Sequence, residues 1–301
     1  MEQLEQLKQL LRCSCPELEV RQDEPMSRHT SFHIGGPAAL MAIPADREQA
    51  VQALRCAAQA GVQPFFLGNG SNLLVSDEGV DRFLIKLTPA VQGISREGNC
   101  LIAGAGVTLA RLAVFARDEG LSGLEFAHGI PGCLGGALTM NAGAYGGEMA
   151  QVVRSVTCLN RNGEEETVTE FDFGYRRSAF SDGTRLILSA RLELVPGDRA
   201  AIGARMEELM ARRQEKQPLE YPSAGSVFKR PEGHFAGALV EQCGLKGLTV
   251  GGAQVSEKHA GFIINRGGAT CRDVRELVAQ IQNIVLQRTG VKLEMEIRTL
   301  K

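Results

Sequence analysis

The sequence predicts an α+β protein: a two-part region, residues 1–86 and 87–197, followed by a smaller α+β region, residues 198–301. Three observations carry this. Period-2 and period-3.6 apolar patterns follow one another along the chain. The glycine-rich turns open no strand–turn–helix dinucleotide fingerprint: after Gly68-Asn69-Gly70 the third glycine position holds Leu73, and after Gly104-Ala105-Gly106 it holds Leu109. After Pro196-Gly197-Asp198 the composition shifts to a charged amphipathic helix. At 301 residues and 32.4 kDa the chain can bury a sizeable core in two or three domains.

Each element has a local reason. Leu4, Leu7, Leu10 and Leu11 make one helical stripe at the N-terminus. Strands are expected over Thr30–Ile34, Leu40–Ile43, Phe65–Leu67 and Phe83–Leu87, with a helix between Arg47 and Gln59. Asp46 is its N-cap, Gln49 sits three residues on, and Gly61 lies just beyond its end. A second helix runs from Leu109 to Glu119 and is closed by Gly120. Thr184–Leu194 alternates as a strand, with Leu186, Leu188, Ala190, Leu192 and Leu194 on one face. The helix Arg199–Lys216 carries Ile202, Met206, Leu209 and Met210 as its buried stripe, and the helix Cys271–Gln287 opens on Thr270 with Asp273 three positions on and Gly290 past its end. A closing strand, Val291–Leu300, points Val291, Leu293, Met295 and Ile297 one way and Lys292, Glu294, Glu296 and Arg298 the other.

Composition excludes several functions. A formal net charge of −2 and a pI near 6.3 argue against a dedicated nucleic-acid or membrane-surface binder. The eight cysteines form no CxxC pair and the five histidines no ligand set, so reduced thiols in a cytoplasmic protein and no metal are expected. No run of 18 apolar residues appears, and the N-terminus MEQLEQLKQLLR is not a secretion signal.

The glycine distribution points to a phosphate. Gly123 to Met149 sets glycines among small apolar residues with almost no charge, and Gly35-Gly36 and Gly68-Asn69-Gly70-Ser71-Asn72 repeat the theme. Bare N–H groups in such turns form anion-binding concavities, and the amide and hydroxyl side chains suit a diphosphate and sugar hydroxyls. A tight structural turn has the same composition.

Seven segments in order, HTSFHIGGPA, LGNGSNLLVSDEGV, GIPGCLGGALTMNAGAYGGE, YRRSAF, PSAGSVFKRP, EKHAGFIIN and LEMEIR, resemble the UDP-N-acetylenolpyruvoylglucosamine reductases, also called UDP-N-acetylmuramate dehydrogenases. The resemblance runs from Arg28 to Arg298. It implies an FAD-binding region of the vanillyl-alcohol-oxidase type, residues 1–86 and 87–197, and a substrate-binding domain, residues 198–301. It further implies non-covalent FAD, NADPH as hydride donor, UDP-N-acetylglucosamine enolpyruvate as substrate, and a place in peptidoglycan precursor synthesis. The short connection after Ser189 is similar to the shorter subclass, which lacks a substrate-covering tyrosine loop. Asn69, His33 and Cys133 depart from the residues frequent at those positions, and none of them removes a backbone donor.

Carried over residue by residue, the resemblance assigns three catalytic residues. They are Arg176 of YRRSAF, Ser226 of PSAGSVFK, the proton donor, and Glu296 of LEMEIR; the reaction suits a guanidinium at Arg176 binding the substrate carboxylate and a Glu296 that, if held protonated by its surroundings, donates to the developing enediolate. Without the resemblance, Arg176 reads as a solvated arginine, Ser226 as a turn cap and Glu296 as one charge on the wet face of a strand. The FAD environment is assigned to Gly35, Gly36, Gly68, Asn69, Gly70, Ser71, Asn72, Gly129, Pro131, Gly135, Gly136 and Asn141, with Gly143 and Tyr145 near it; Lys229 and Arg298 are candidates for the substrate's anionic groups. Two other functions share the turns. A flavin-dependent oxidase needs a base where Glu296 or Ser226 supplies an acid, and a non-catalytic nucleotide-binding module needs none of the three.

Overall fold

The N-terminal leucine stripe forms a helix, Glu2–Ser14, with Leu7 and Leu11 fully buried and Leu4 and Leu10 packed against the same core. The structure is a computed structural model describing residues 2–301. Its contacts divide the chain into two units whose segments interleave: residues 1–22, 40–69 and 82–211 make the first, and residues 23–39, 70–81 and 212–301 the second. The three stretches expected from pattern are contiguous, whereas these units are threaded.

In the first unit, the helix Arg47–Gln59 is capped by Asp46, whose side chain accepts the Gln49 N–H, and it buries Ala50, Ala53, Leu54, Cys56 and Ala57. Phe65–Leu67 pairs in parallel with Val80–Lys86, Phe66 facing Ile85. A five-stranded antiparallel sheet has the order Glu165–Val168, Val153–Leu159, Leu186–Glu193, Cys100–Gly104, Ile94–Glu97. Leu186–Glu193 is its central strand, so Ile187 and Ser189 are buried as well as the expected Leu186, Leu188, Ala190 and Leu192. The helix Leu109–Asp118, capped by Thr108, buries Leu109, Leu112, Ala113 and Ala116, and Ile202 and Met206 of the helix Arg199–Lys216 join the same core.

In the second unit a three-stranded antiparallel sheet, Thr249–Val250, Ala253–Val255 and Ile263–Asn265, packs with the helices Ala236–Gln242 and Cys271–Thr289. Cys271–Thr289 buries Val274, Leu277, Val278, Ile281 and Val285 at helical spacing. Among the described residues, no helix is long and apolar enough to cross a membrane.

Two expected strands differ. Thr30–Ile34 is a turn: His33 donates its N–H to the Thr30 carbonyl, the Thr30 hydroxyl donates to the Ile34 carbonyl, and His33 has φ of +56°. Local bonding by the threonine side chain competes successfully with a ladder there. The second is Val291–Leu300, of which only Arg298–Leu300 is strand, parallel to Leu73–Val75. The residues before it meet a different partner, Val227–Lys229, through Lys229 N–H to the Glu294 carbonyl (2.8 Å) and Glu296 N–H to the Val227 carbonyl (2.7 Å). Alternation survives as far as Ile297, with Leu293 and Ile297 buried and Glu294 exposed, and shifts in the parallel pairing, where Leu300 is buried and Thr299 exposed.

At the start of Cys271–Thr289 the Thr270 hydroxyl accepts the Asp273 N–H and the Asp273 carboxylate accepts the Thr270 N–H, both at 3.0 Å. That backbone bond holds the Asp273 carboxyl below the usual carboxylate range. A depressed folded-state pKa stabilises above the ordinary value of about 3.9 and loses that contribution as pH falls through the folded-state value. Thr270→Ala keeps the backbone N–H that bonds Asp273 and is expected to cost about 1 kcal/mol at neutral pH with most of the deficit kept in acid, whereas Asp273→Ala is expected to destabilise at neutral pH by a deficit that shrinks in acid. Urea unfolding of both proteins across that range measures it.

Candidate active site

In the first unit the glycine-rich stretch is folded against two other turns. Gly135 and Leu134 donate their N–H groups to the carbonyls of Ala105 and Val107, so the Gly104-Ala105-Gly106 turn lies under the start of the short helix Leu134–Met140. Asn69 Nδ2 donates to the Pro131 carbonyl at 3.5 Å, joining the second turn to the first. Gly68 is there because nothing larger fits: a Cβ at this position would overlap the Cys133 sulfur. Gly143 and Tyr145 belong to a small hairpin, Gly143–Ala144 against Gly147–Glu148, whose central Tyr145 and Gly146 both have positive φ, as a type I′ turn requires.

The same stretch holds Arg176. Asn141 ends the helix Leu134–Met140 in the left-handed conformation; its side chain accepts the Ala150 N–H at 3.0 Å and donates to the Gly174 carbonyl at 3.3 Å. Both its polar groups are thereby used within the protein. Gly174 and Arg177 exchange backbone hydrogen bonds around Tyr175 and Arg176, and Ser178 and Ser181 hydroxyls donate to the Thr139 carbonyl. Arg176 is half-buried at φ of +56°, with its guanidinium 5.2 Å from the exposed Tyr175 ring. A non-glycine residue in that region is strained, and here the surrounding bonds enforce it.

The residues of the first unit suit an anion bound by main chain. Residues 129–145 contain no charged side chain, and the Gly136 N–H has no acceptor among the described residues. Beside them His128 Nδ1 is buried without a hydrogen-bond partner among the described residues. Burial, with Arg117 adding to it, pushes the His128 imidazole below its ordinary pKa. A flavin diphosphate needs such donors and such close access to the backbone.

In the second unit Gly35, Gly36 and Gly70–Asn72 lie with Ser226, Lys229, Glu296 and Arg298. Gly36 sits against the Asp77 carbonyl, which leaves no room for a Cβ. Ser71 is half-buried, and its hydroxyl has no partner among the described residues. Asn72 links the turn to the closing run: its side chain donates to the Glu296 carbonyl at 3.3 Å and its carbonyl accepts the Arg298 N–H at 2.9 Å. Ser226 is exposed, bridged to Phe262 on one side, and followed by the Val227–Lys229 segment that pairs with Glu294–Glu296.

Charge sorts the remaining candidates. Lys229 Nζ lies 2.5 Å from Glu294 Oε1, on side chains 37% and 73% exposed, so this pair is a surface one worth little. Arg298 is half-buried, makes no ion pair among the described residues, and is pushed below the ordinary arginine range by burial. Such a guanidinium is suited to an anion arriving from outside. Sequence patterns assign no role to Ser178 or Thr139, whose contribution is visible only once the Arg176 turn is seen bonded to the helix that carries Thr139, nor to His128 beside them. No group of His, Cys, Asp and Glu among the described residues could hold a metal ion.

Fold and turns define a class, that of FAD-binding oxidoreductases: residues 38–169 match the family model described as an FAD binding domain. Residues 217–300 match the C-terminal domain of UDP-N-acetylenolpyruvoylglucosamine reductase. The reductase of that name from Clostridium perfringens strain SM101 is 45% identical over 286 residues, 94% of each chain, and that from Agathobacter rectalis 48% identical over 299 residues, 95% of each. The crystal structure of the Thermus caldophilus reductase superposes with a TM-score of 0.82 at 36% identity, covering 94% of this chain and all of that one. The chain belongs to the UDP-N-acetylenolpyruvoylglucosamine reductase family.

Because the Gly68 constraint comes from one sulfur atom, Gly68→Ala is expected to lower the flavin released per chain on denaturation. Combining it with Cys133→Ala is expected to restore most of it, since a Cβ at 68 lies an ordinary 3.7 Å from Cys133 Cβ. Flavin absorbance against protein concentration measures both.

Proposed function

We propose that this chain reduces UDP-N-acetylglucosamine enolpyruvate to UDP-N-acetylmuramate, with NADPH as hydride donor and non-covalent FAD as carrier, in the cytoplasmic synthesis of peptidoglycan precursors. One observation carries the residue assignment. The segment after Ser226 is hydrogen-bonded to that of Glu296, and Asn72, from a glycine-rich turn, bonds both sides of Ile297. Backbone hydrogen bonds join the Ser226 and Glu296 segments, and the Asn72 amide and carbonyl tie the glycine-rich turn to the latter, which supports reading them as proton donor, acid and cofactor turn.

The chemistry that bound FAD supplies is relay of a hydride from NADPH to the terminal enolpyruvyl carbon. Negative charge then develops between the adjacent carbon and the substrate carboxylate. Arg176 holds that carboxylate with two parallel hydrogen bonds, and Glu296 donates to the developing enediolate. Ser226 gives its hydroxyl proton to the carbon and regains one from solvent, to which it is exposed. Arg298, with no carboxylate partner among the described residues, takes an anionic group of the substrate and lowers the cost of the transient serine alkoxide. Lys229 serves the substrate only by leaving Glu294.

Rapid mixing tests the assignment. Ser226→Ala should leave reduction of the flavin by NADPH near normal and slow its reoxidation by the enolpyruvyl substrate by about 10²–10⁴-fold. Equal slowing of both halves would mean that Ser226 supports the flavin site instead of donating the proton.

The two glutamates of the closing run separate cleanly. Glu296→Ala should slow reoxidation by about 10²-fold or more, the scale of a lost donor to developing charge. Glu294→Ala removes only an exposed ion pair and should cost less than about 1 kcal/mol of stability with reoxidation unchanged. Single-turnover reoxidation at matched flavin content decides; a large defect at Glu294 alone would reverse the assignment.

A further inference from the structure

Ser31 lies outside the groups used above, yet it touches two of their supports. Its hydroxyl donates to the Ser223 carbonyl at 2.6 Å, its own carbonyl accepts the Ser223 N–H at 3.2 Å, and its N–H points to the Gly70 carbonyl at 3.4 Å. Gly70 begins the cofactor turn that continues through Ser71 to Asn72, and Ser223 begins the Ser223-Ala224-Gly225-Ser226 loop. One half-buried residue therefore bonds both.

The segment around it is immobilised from behind. His29 Nε2 meets Glu24 Oε1 at 2.8 Å with both side chains nearly buried, and the His29 carbonyl lies against Gly70 where any Cβ would collide. Buried Asn265 donates to the Phe32 carbonyl at 3.1 Å while its N–H donates to the Pro222 carbonyl at 2.9 Å. The backbone on either side of the Ser31–Ser223 contact is thus tied down without the Ser31 hydroxyl. That hydroxyl sets only the last register of a loop whose Gly225, at φ of +78°, sits directly before the serine.

We propose that Ser31 is a positioning residue for the protonation step, its hydroxyl holding the Ser223–Ser226 loop in register with the Gly70–Asn72 turn. This rests on the reading of Ser226 as proton donor. A hydroxyl bonded to a carbonyl three residues before the donor acts on where the Ser226 oxygen stands, and a small displacement of a reacting group is costly to rate. The role needs an oxygen on Cβ and nothing else of the side chain.

The test compares Ser31→Ala, Ser31→Thr and Ser226→Ala, alone and as the double variant Ser31→Ala/Ser226→Ala. Ser31→Ala is expected to slow flavin reoxidation by about tenfold, the scale of one lost hydrogen bond, with reduction by NADPH unchanged and with rescue by Ser31→Thr. In the Ser226→Ala background the same change should have no further effect, because its only route to the chemistry is gone. Independently of activity, amide hydrogen exchange over residues 223–226 should quicken in Ser31→Ala while residues 70–72 keep their protection. Reoxidation within twofold of the parent, equal slowing of both half-reactions, or a full tenfold effect persisting without Ser226 each overturns the proposal. Normal reoxidation in Ser226→Ala itself overturns the reading beneath it instead. Should Ser31→Ala load too little flavin, Ser31→Cys, similar in volume and a weak donor, is read by the same criteria.

Discussion

Two backbone hydrogen bonds, Glu296 N–H to the Val227 carbonyl and Lys229 N–H to the Glu294 carbonyl, set the spacing of everything proposed in the second unit. They are main-chain bonds, so they fix the positions from which Ser226 and Glu296 project whatever the side chains do. The segments they join are held in turn. Phe228, Leu293 and Ile297 are buried in one apolar cluster with Val274 and Leu277, and Asn72 closes the far end. If each bond contributes about 1 kcal/mol, the pairing owes its persistence to the burial of those side chains more than to the bonds themselves.

In the first unit the organising constraint is space. The stretches that read as poor in volume are poor because neighbouring side chains press on them: Gly68 faces the Cys133 sulfur, Gly135 the Ala105 methyl, and Gly147 the Phe126 ring. Glycine there is required by the protein's own packing, and access for a ligand follows from it. Asn141 makes the same point with a polar residue, since its amide is consumed in carrying the Arg176 turn.

Helices were legible because their signals are local. Asp46 with Gln49, and Thr270 with Asp273 and Gly290, mark their ends in the sequence as they do in the structure. The closing run was harder. Its alternation was real, but period 2 records only which side chains face the core and says nothing of how many partners share the strand. Thr30–Ile34 failed for a related reason: an apolar, β-branched composition does not reveal that a threonine hydroxyl will bond four residues ahead. The gathering of Ser226, Glu296 and Asn72 joins residues far apart in sequence, so only the family resemblance could name them together. The support given by Ser31 carried no sequence signal at all, being a hydroxyl to a carbonyl.

Arg176 occupies a backbone conformation that glycine or asparagine would hold at lower cost. Replacing it by either of these therefore relaxes the turn at the same moment that it removes the guanidinium. A chain selected for heat resistance alone would gain by losing this arginine, and directed evolution of a hardier enzyme would have to screen turnover at every round to keep it. The strain at this one residue sets stability and the proposed carboxylate contact against each other.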